Sequence, residues 1–93
     1  MVRIVALDDE ICWIETLRQI TREFFGQEEY EFFSYTNAEK FLFDMEEKRE
    51  YDIVLLDMEM PGTNGLKVGG KVRLKHPESV IIFITREDIF GKN

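Results

Sequence analysis

Ninety-three residues make one small domain, and a 44% hydrophobic content with eight phenylalanines and one tryptophan describes a packed globule, not a disordered segment. A formal net charge of -7 argues against direct nucleic-acid contact, which needs clustered lysine and arginine. Cys12 is the only cysteine, so no internal disulfide is possible; no apolar stretch nears the roughly 20 residues of a membrane span, and Met1-Val2-Arg3-Ile4 runs straight into a strand with no room for a signal peptide. A cytoplasmic domain is expected.

Val2 to Leu7 reads as the first strand, an apolar run too short for a helix and closed by acids. Ile11 to Phe25 follows as a helix whose expected core stripe is Trp13, Leu17, Ile20 and Phe24, stopped by Gly26. Tyr30 to Tyr35 is β-favouring and aromatic, an expected edge strand. Thr36-Asn37-Ala38-Glu39 reads as a capping box with Thr36 as the cap, opening a second helix with Ala38, Phe41, Leu42 and Met45 on its apolar face. Glu46 to Glu50 is a solvated charge run. Asp52 to Leu56 is continuous and apolar, as a strand covered on both faces should be. Met58 to Gly65 is a loop with Pro61-Gly62 and Asn64-Gly65 as breakers, and Leu66 to Lys75 is a helix closed by His76-Pro77. Val80 to Ile84 is a further buried strand ending at Thr85. This βαβαβαβ order implies an α/β fold of three layers, a parallel sheet with helices on both faces.

One pattern misleads. Gly65 to Lys71 fits the spacing of a phosphate-binding G-x-x-x-x-G-K loop, but Val72 stands where the hydroxyl residue belongs, and Leu66 and Val68 look like core residues. The pair Gly69-Gly70 remains costly inside a helix, at about 1 kcal/mol per glycine relative to alanine. Close packing against a neighbour would explain it, and so would a soft helix.

Asp8, Asp9 and Asp57 are the informative residues. All three emerge at the C-terminal ends of strands, the edge where ligands bind in open α/β sheets. Carboxylates gathered there repel one another, and a hard, oxygen-seeking cation such as Mg2+ offsets that repulsion. Asp9 and Asp57 can each supply an oxygen, and a backbone carbonyl just past Asp57 another. A carboxylate beside such an ion is also a possible nucleophile forming an acyl phosphate. Thr85 brings a hydroxyl to the end of the strand expected beside that of Asp57. Helix N-terminal roles account for Asp8, Asp9 and Glu10, but not for Asp57 and Thr85 at matching strand ends.

The segments Leu7-Asp8-Asp9-Glu10, Leu55-Leu56-Asp57-Met58-Glu59-Met60-Pro61-Gly62-Thr63-Asn64-Gly65 and Ile82-Phe83-Ile84-Thr85 resemble the receiver domain of bacterial two-component response regulators. The resemblance runs along the whole chain in order and spacing, and its D-x-x-M-P-x-x-x-G block is highly specific. It implies a flavodoxin-like sheet of order 2-1-3-4 and a phosphorelay function with a histidine kinase as phosphoryl donor. It further implies Asp57 as phosphoacceptor, Asp9 as direct metal ligand, Asp8 as its support, the Glu59 carbonyl completing the Mg2+ set, and Thr85 as the switch hydroxyl. The Leu-Asp-Asp-Glu and Met-Pro-Gly-Thr-Asn-Gly combination resembles regulators with a LytTR-type DNA-binding output, so the expected partner is an output domain or protein controlling transcription. No independent enzymatic turnover is expected.

The family resembles a five-stranded design, and residues 1–93 read as a receiver truncated after its fourth strand. The phosphate-pairing lysine is missing, since Lys92 lies only seven residues beyond Thr85. The last strand would then be an exposed apolar edge, which invites a homodimer through this strand and the third helix. Two alternatives remain beside the phosphoacceptor. One is a degenerate receiver acting only through protein contacts. The other is a haloacid-dehalogenase-like phosphotransferase, which wants an Asp where Glu59 stands.

Overall fold

The structure, a computed structural model, describes residues 1–47 and 50–85. Strand β1 spans Val2–Leu7, helix α1 Ile11–Phe25, β2 Tyr30–Tyr35, α2 Ala38–Glu46 and β3 Ile53–Asp57. Two short strands, β4 (Glu59–Met60) and β5 (Thr63–Asn64), precede α3 (Gly65–Lys75) and β6 (Val80–Ile84). The four long strands form one parallel sheet in the order β2-β1-β3-β6. This is the expected 2-1-3-4 order, with β6 as its fourth member.

Alternation along the strands assigns the two faces. Val5, Leu7, Val54 and Leu56 point to one side and pack with Phe41 and Met45 of α2 and Val68 and Val72 of α3. Phe33, Tyr35 and Ile81 complete that layer from the outer strands. Burying a side chain such as Phe41 completely contributes about 2–3 kcal/mol. Ile4 and Ala6 serve the other face, which α1 covers by packing on β1 and β2. Gly26, at φ 60°, ends α1 as its composition implies.

The structure corrects four expectations. In α1, Trp13, Ile20 and Phe24 are not core: they are 38%, 55% and 81% exposed, while Ile14 and Thr21 are buried. Both stripes share Leu17, and Thr21 tolerates burial because its hydroxyl donates to the Leu17 carbonyl at 2.8 Å. Helix α2 is capped by Asn37, not Thr36; the Asn37 side chain accepts the Lys40 N–H at 2.9 Å. Strand β6 is not buried as its apolar run alone reads but exposed as the shortened sheet order implies: Val80, Ile82 and Phe83 are 54%, 45% and 41% exposed, at the edge among the described strands. In β3 too, only Val54, Leu56 and Asp57 are buried, whereas Ile53 and Leu55 are half-buried. Finally, the 58–65 segment is no plain loop, since Glu59 pairs with Asn64 and Met60 with Thr63 in an antiparallel ribbon. Lys92, and residues 48 and 49 of the charge run, lie outside the described residues.

Candidate functional site

The C-terminal edge of the sheet carries the site. Asp8 directly follows β1, and its backbone N–H donates to the Tyr35 carbonyl at 3.1 Å, so the end of β2 fixes where the acidic turn begins. Its side chain is 1% exposed and accepts the Glu10 N–H at 2.9 Å. That bond holds the turn into α1, whose N-cap residue is Glu10. Asp9 is half-buried between them. Asp57 is the last residue of β3, 2% exposed, and accepts the Glu59 N–H at 3.2 Å.

One carboxylate oxygen from each of Asp8, Asp9 and Asp57 lies within 4.8 Å of the others. Three like charges at that separation disfavour one another, and burial strengthens the effect. The donor set is all oxygen, which suits Mg2+ or Ca2+ and not a thiolate- or imidazole-seeking metal. The residues present therefore fit a hard divalent cation.

The segment after Asp57 is built to stay close. Met58 donates its N–H to the Ile84 carbonyl at 3.0 Å, and Gly65 donates to the Met58 carbonyl at 3.0 Å. A Cβ at Gly65 would collide with the Asp57 carbonyl group, so glycine is the residue that lets α3 start against the end of β3. Gly62 turns the ribbon at φ 78°, and the Asn64 side chain caps α3 by accepting the Lys67 N–H at 2.8 Å. Glu59, exposed, stands two residues past Asp57 at the start of that ribbon. Thr85, also exposed, directly follows β6. Because Ile84 pairs with Asp57, Thr85 lies one residue beyond the register partner of Asp57.

The sequence-derived set is thus brought to one edge: the three aspartates converge, and Glu59 and Thr85 border them. Missed by sequence reasoning were the backbone carbonyls of Tyr35 and Ile84, which tie the acidic turns to neighbouring strands. Missed too was a polar cluster under α2. The Tyr35 hydroxyl donates to Asp44 at 2.6 Å and lies 3.4 Å from the Tyr51 hydroxyl. Burial, then the bond to Asp44, pushes the Tyr35 phenol well above its ordinary pKa. No periodicity marks such a cluster.

Known proteins share this layout. The sequence model of the response regulator receiver domain family matches residues 4–90. The regulatory protein VanR of Enterococcus faecium is 29% identical over 85 residues, covering 91% of this chain and 35% of VanR, so the chain spans about a third of that relative. Among solved structures, the response regulator TrrA of Thermotoga maritima in complex with Mg2+-BeF superposes with a TM-score of 0.70 and 34% identity, covering 100% of this chain and 76% of that one. The matched chain of a complex between the histidine kinase ThkA and TrrA gives a TM-score of 0.67 and 35% identity, covering 99% and 79%.

Proposed function

Because the chain belongs to the response regulator receiver domain family, we propose that Asp57 accepts a phosphoryl group from the phosphohistidine of a histidine kinase. The observation that carries this is the convergence of Asp8, Asp9 and Asp57 within 4.8 Å at the ends of β1 and β3. An Asp57 carboxylate oxygen attacks the phosphorus, the N–P bond breaks, and the imidazole leaves as neutral histidine after taking up a proton. Asp8, Asp9, Asp57 and the Glu59 carbonyl would hold the Mg2+, which neutralises charge on the transferring group. Thr85, one residue past the register partner of Asp57, donates its hydroxyl to the phosphoryl oxygens and reports their arrival. The neighbour bound to Mg2+-BeF and the neighbour complexed with a histidine kinase support this reading.

The domain acts as an acceptor and switch in the cytoplasm, without turnover of its own, and residues 1–93 form one receiver unit. Its output is a domain or partner protein that controls transcription. The exposed apolar edge of β6 takes the matching strand of a second copy, giving a homodimer.

Titration with Mg2+ and beryllofluoride tests the central claim, with Trp13, five residues after Asp8, as fluorescent reporter. Wild type responds and Asp57→Ala does not. A silent wild type leaves only the degenerate, contact-based receiver. Sedimentation at micromolar concentration tests the dimer, and a monomer there overturns it.

A further inference from the structure

Gly69 and Gly70 are neighbours in α3, yet their surroundings differ completely. A Cβ at Gly70 would meet nothing within 4 Å. A Cβ at Gly69 would stand 2.8 Å from Cζ and 2.9 Å from Cε1 of Phe83, and 3.4 Å from Cδ1 of Leu56. The Phe83 ring therefore occupies the space that a side chain of α3 would fill. Phe83 as a whole is 41% exposed, so it is the far end of the ring that the notch takes up.

Its place in β6 is more telling. Leu56 pairs with Phe83 and Asp57 with Ile84, and the Met58 N–H bonds the Ile84 carbonyl at 3.0 Å. Thr85 directly follows β6, two residues after Phe83, so the placement of Phe83 bears on where the chain leaves the strand. β3 holds the strand end laterally, and the ring seated in the Gly69 notch holds it against α3. We propose that Phe83 is a positioning residue that sets where the Thr85 hydroxyl stands relative to the group on Asp57. The proposal rests on the roles given above to Asp57 and Thr85.

The test separates the two halves of the site. Mg2+ affinity reads the aspartates and the Glu59 carbonyl, whereas beryllofluoride affinity at saturating Mg2+ also reads Thr85. Phe83→Ala should weaken beryllofluoride binding roughly five- to tenfold, the worth of one hydrogen bond, and leave the Mg2+ affinity within about twofold. Gly69→Ala should act in the same direction by displacing the ring, Gly70→Ala should not, and Phe83→Leu combined with Gly69→Ala should restore binding. If Phe83→Ala does not fold, the Gly69→Ala pair carries the test; equal beryllofluoride affinity with and without Phe83→Leu then overturns the proposal. Unchanged beryllofluoride affinity in Phe83→Ala, or a parallel loss of Mg2+ affinity, overturns it as well. A wild type with no Asp57-dependent response overturns this proposal and the function together, whereas a responsive wild type beside an unaffected Phe83→Ala overturns the positioning role alone.

Discussion

The two ends of the sheet use the same chemistry in opposite ways. At the N-terminal end, carboxylates are matched one by one to donors of the fold. Asp52 accepts the Arg3 N–H at 2.8 Å, and Glu31 meets the Arg3 guanidinium at 3.1 Å. The Ser79 hydroxyl donates to the Tyr51 carbonyl at 2.6 Å, and Arg73 reaches the carbonyls of Pro77 and Ser79 at 2.6 and 2.8 Å. At the C-terminal end, three carboxylates converge on one point. The first arrangement fastens strand starts; the second leaves stability to be gained when a cation arrives. A domain this small can hold such an end because the other end is tied down.

That contrast is open to attack by substitution. Asp9→Asn should lower Mg2+ affinity by at least about tenfold while the metal-free melting temperature holds or rises, since one of three like charges is removed. Calorimetry with and without Mg2+ checks this, and a lower metal-free melting point would erase the distinction between the ends. Ser79→Ala, at the buried N-terminal end, removes a donor from the Tyr51 carbonyl and should cost about 1–2 kcal/mol in urea unfolding with Mg2+ affinity unchanged. Away from both ends, Gly70→Ala should stabilise α3 by about 0.5–1 kcal/mol, because its Cβ enters open space. Arg3→Ala, breaking an ion pair about half exposed on each side (52% and 44%), should cost only about 0.5 kcal/mol, shrinking with added salt.

Much of the fold and the site was legible as apolar runs with acids at their ends. The parallel sheet, the three helices and the gathering of Asp8, Asp9 and Asp57 follow from that pattern, whereas the strand order came with the resemblance to receiver domains. The failures share a cause: neighbouring candidates of equal local merit. Leu17 belongs to two possible stripes of α1, and only the sheet beneath chooses Ile14 and Thr21 over Trp13, Ile20 and Phe24. Thr36 and Asn37 are both good caps, and the chain path selects Asn37. An apolar run such as Val80 to Ile84 reads the same in the middle of a sheet and at its edge, and only the sheet order implied by the resemblance marked it as an edge. The ribbon at 59–64 is too short for any period to register. Gly69 and Gly70 look identical in sequence, and only the path of Phe83 tells them apart.

The edge position of β6 among the described strands also carries an isotopic signature. The Val80 N–H bonds the Asp52 carbonyl at 2.9 Å, so in this parallel ladder the amides of Val80, Ile82 and Ile84 turn toward β3. Those of Ile81 and Phe83 turn away from it. In deuterated water the strand should therefore exchange as a comb, slow and fast at alternate residues, and a second strand laid along this edge would slow the fast teeth first.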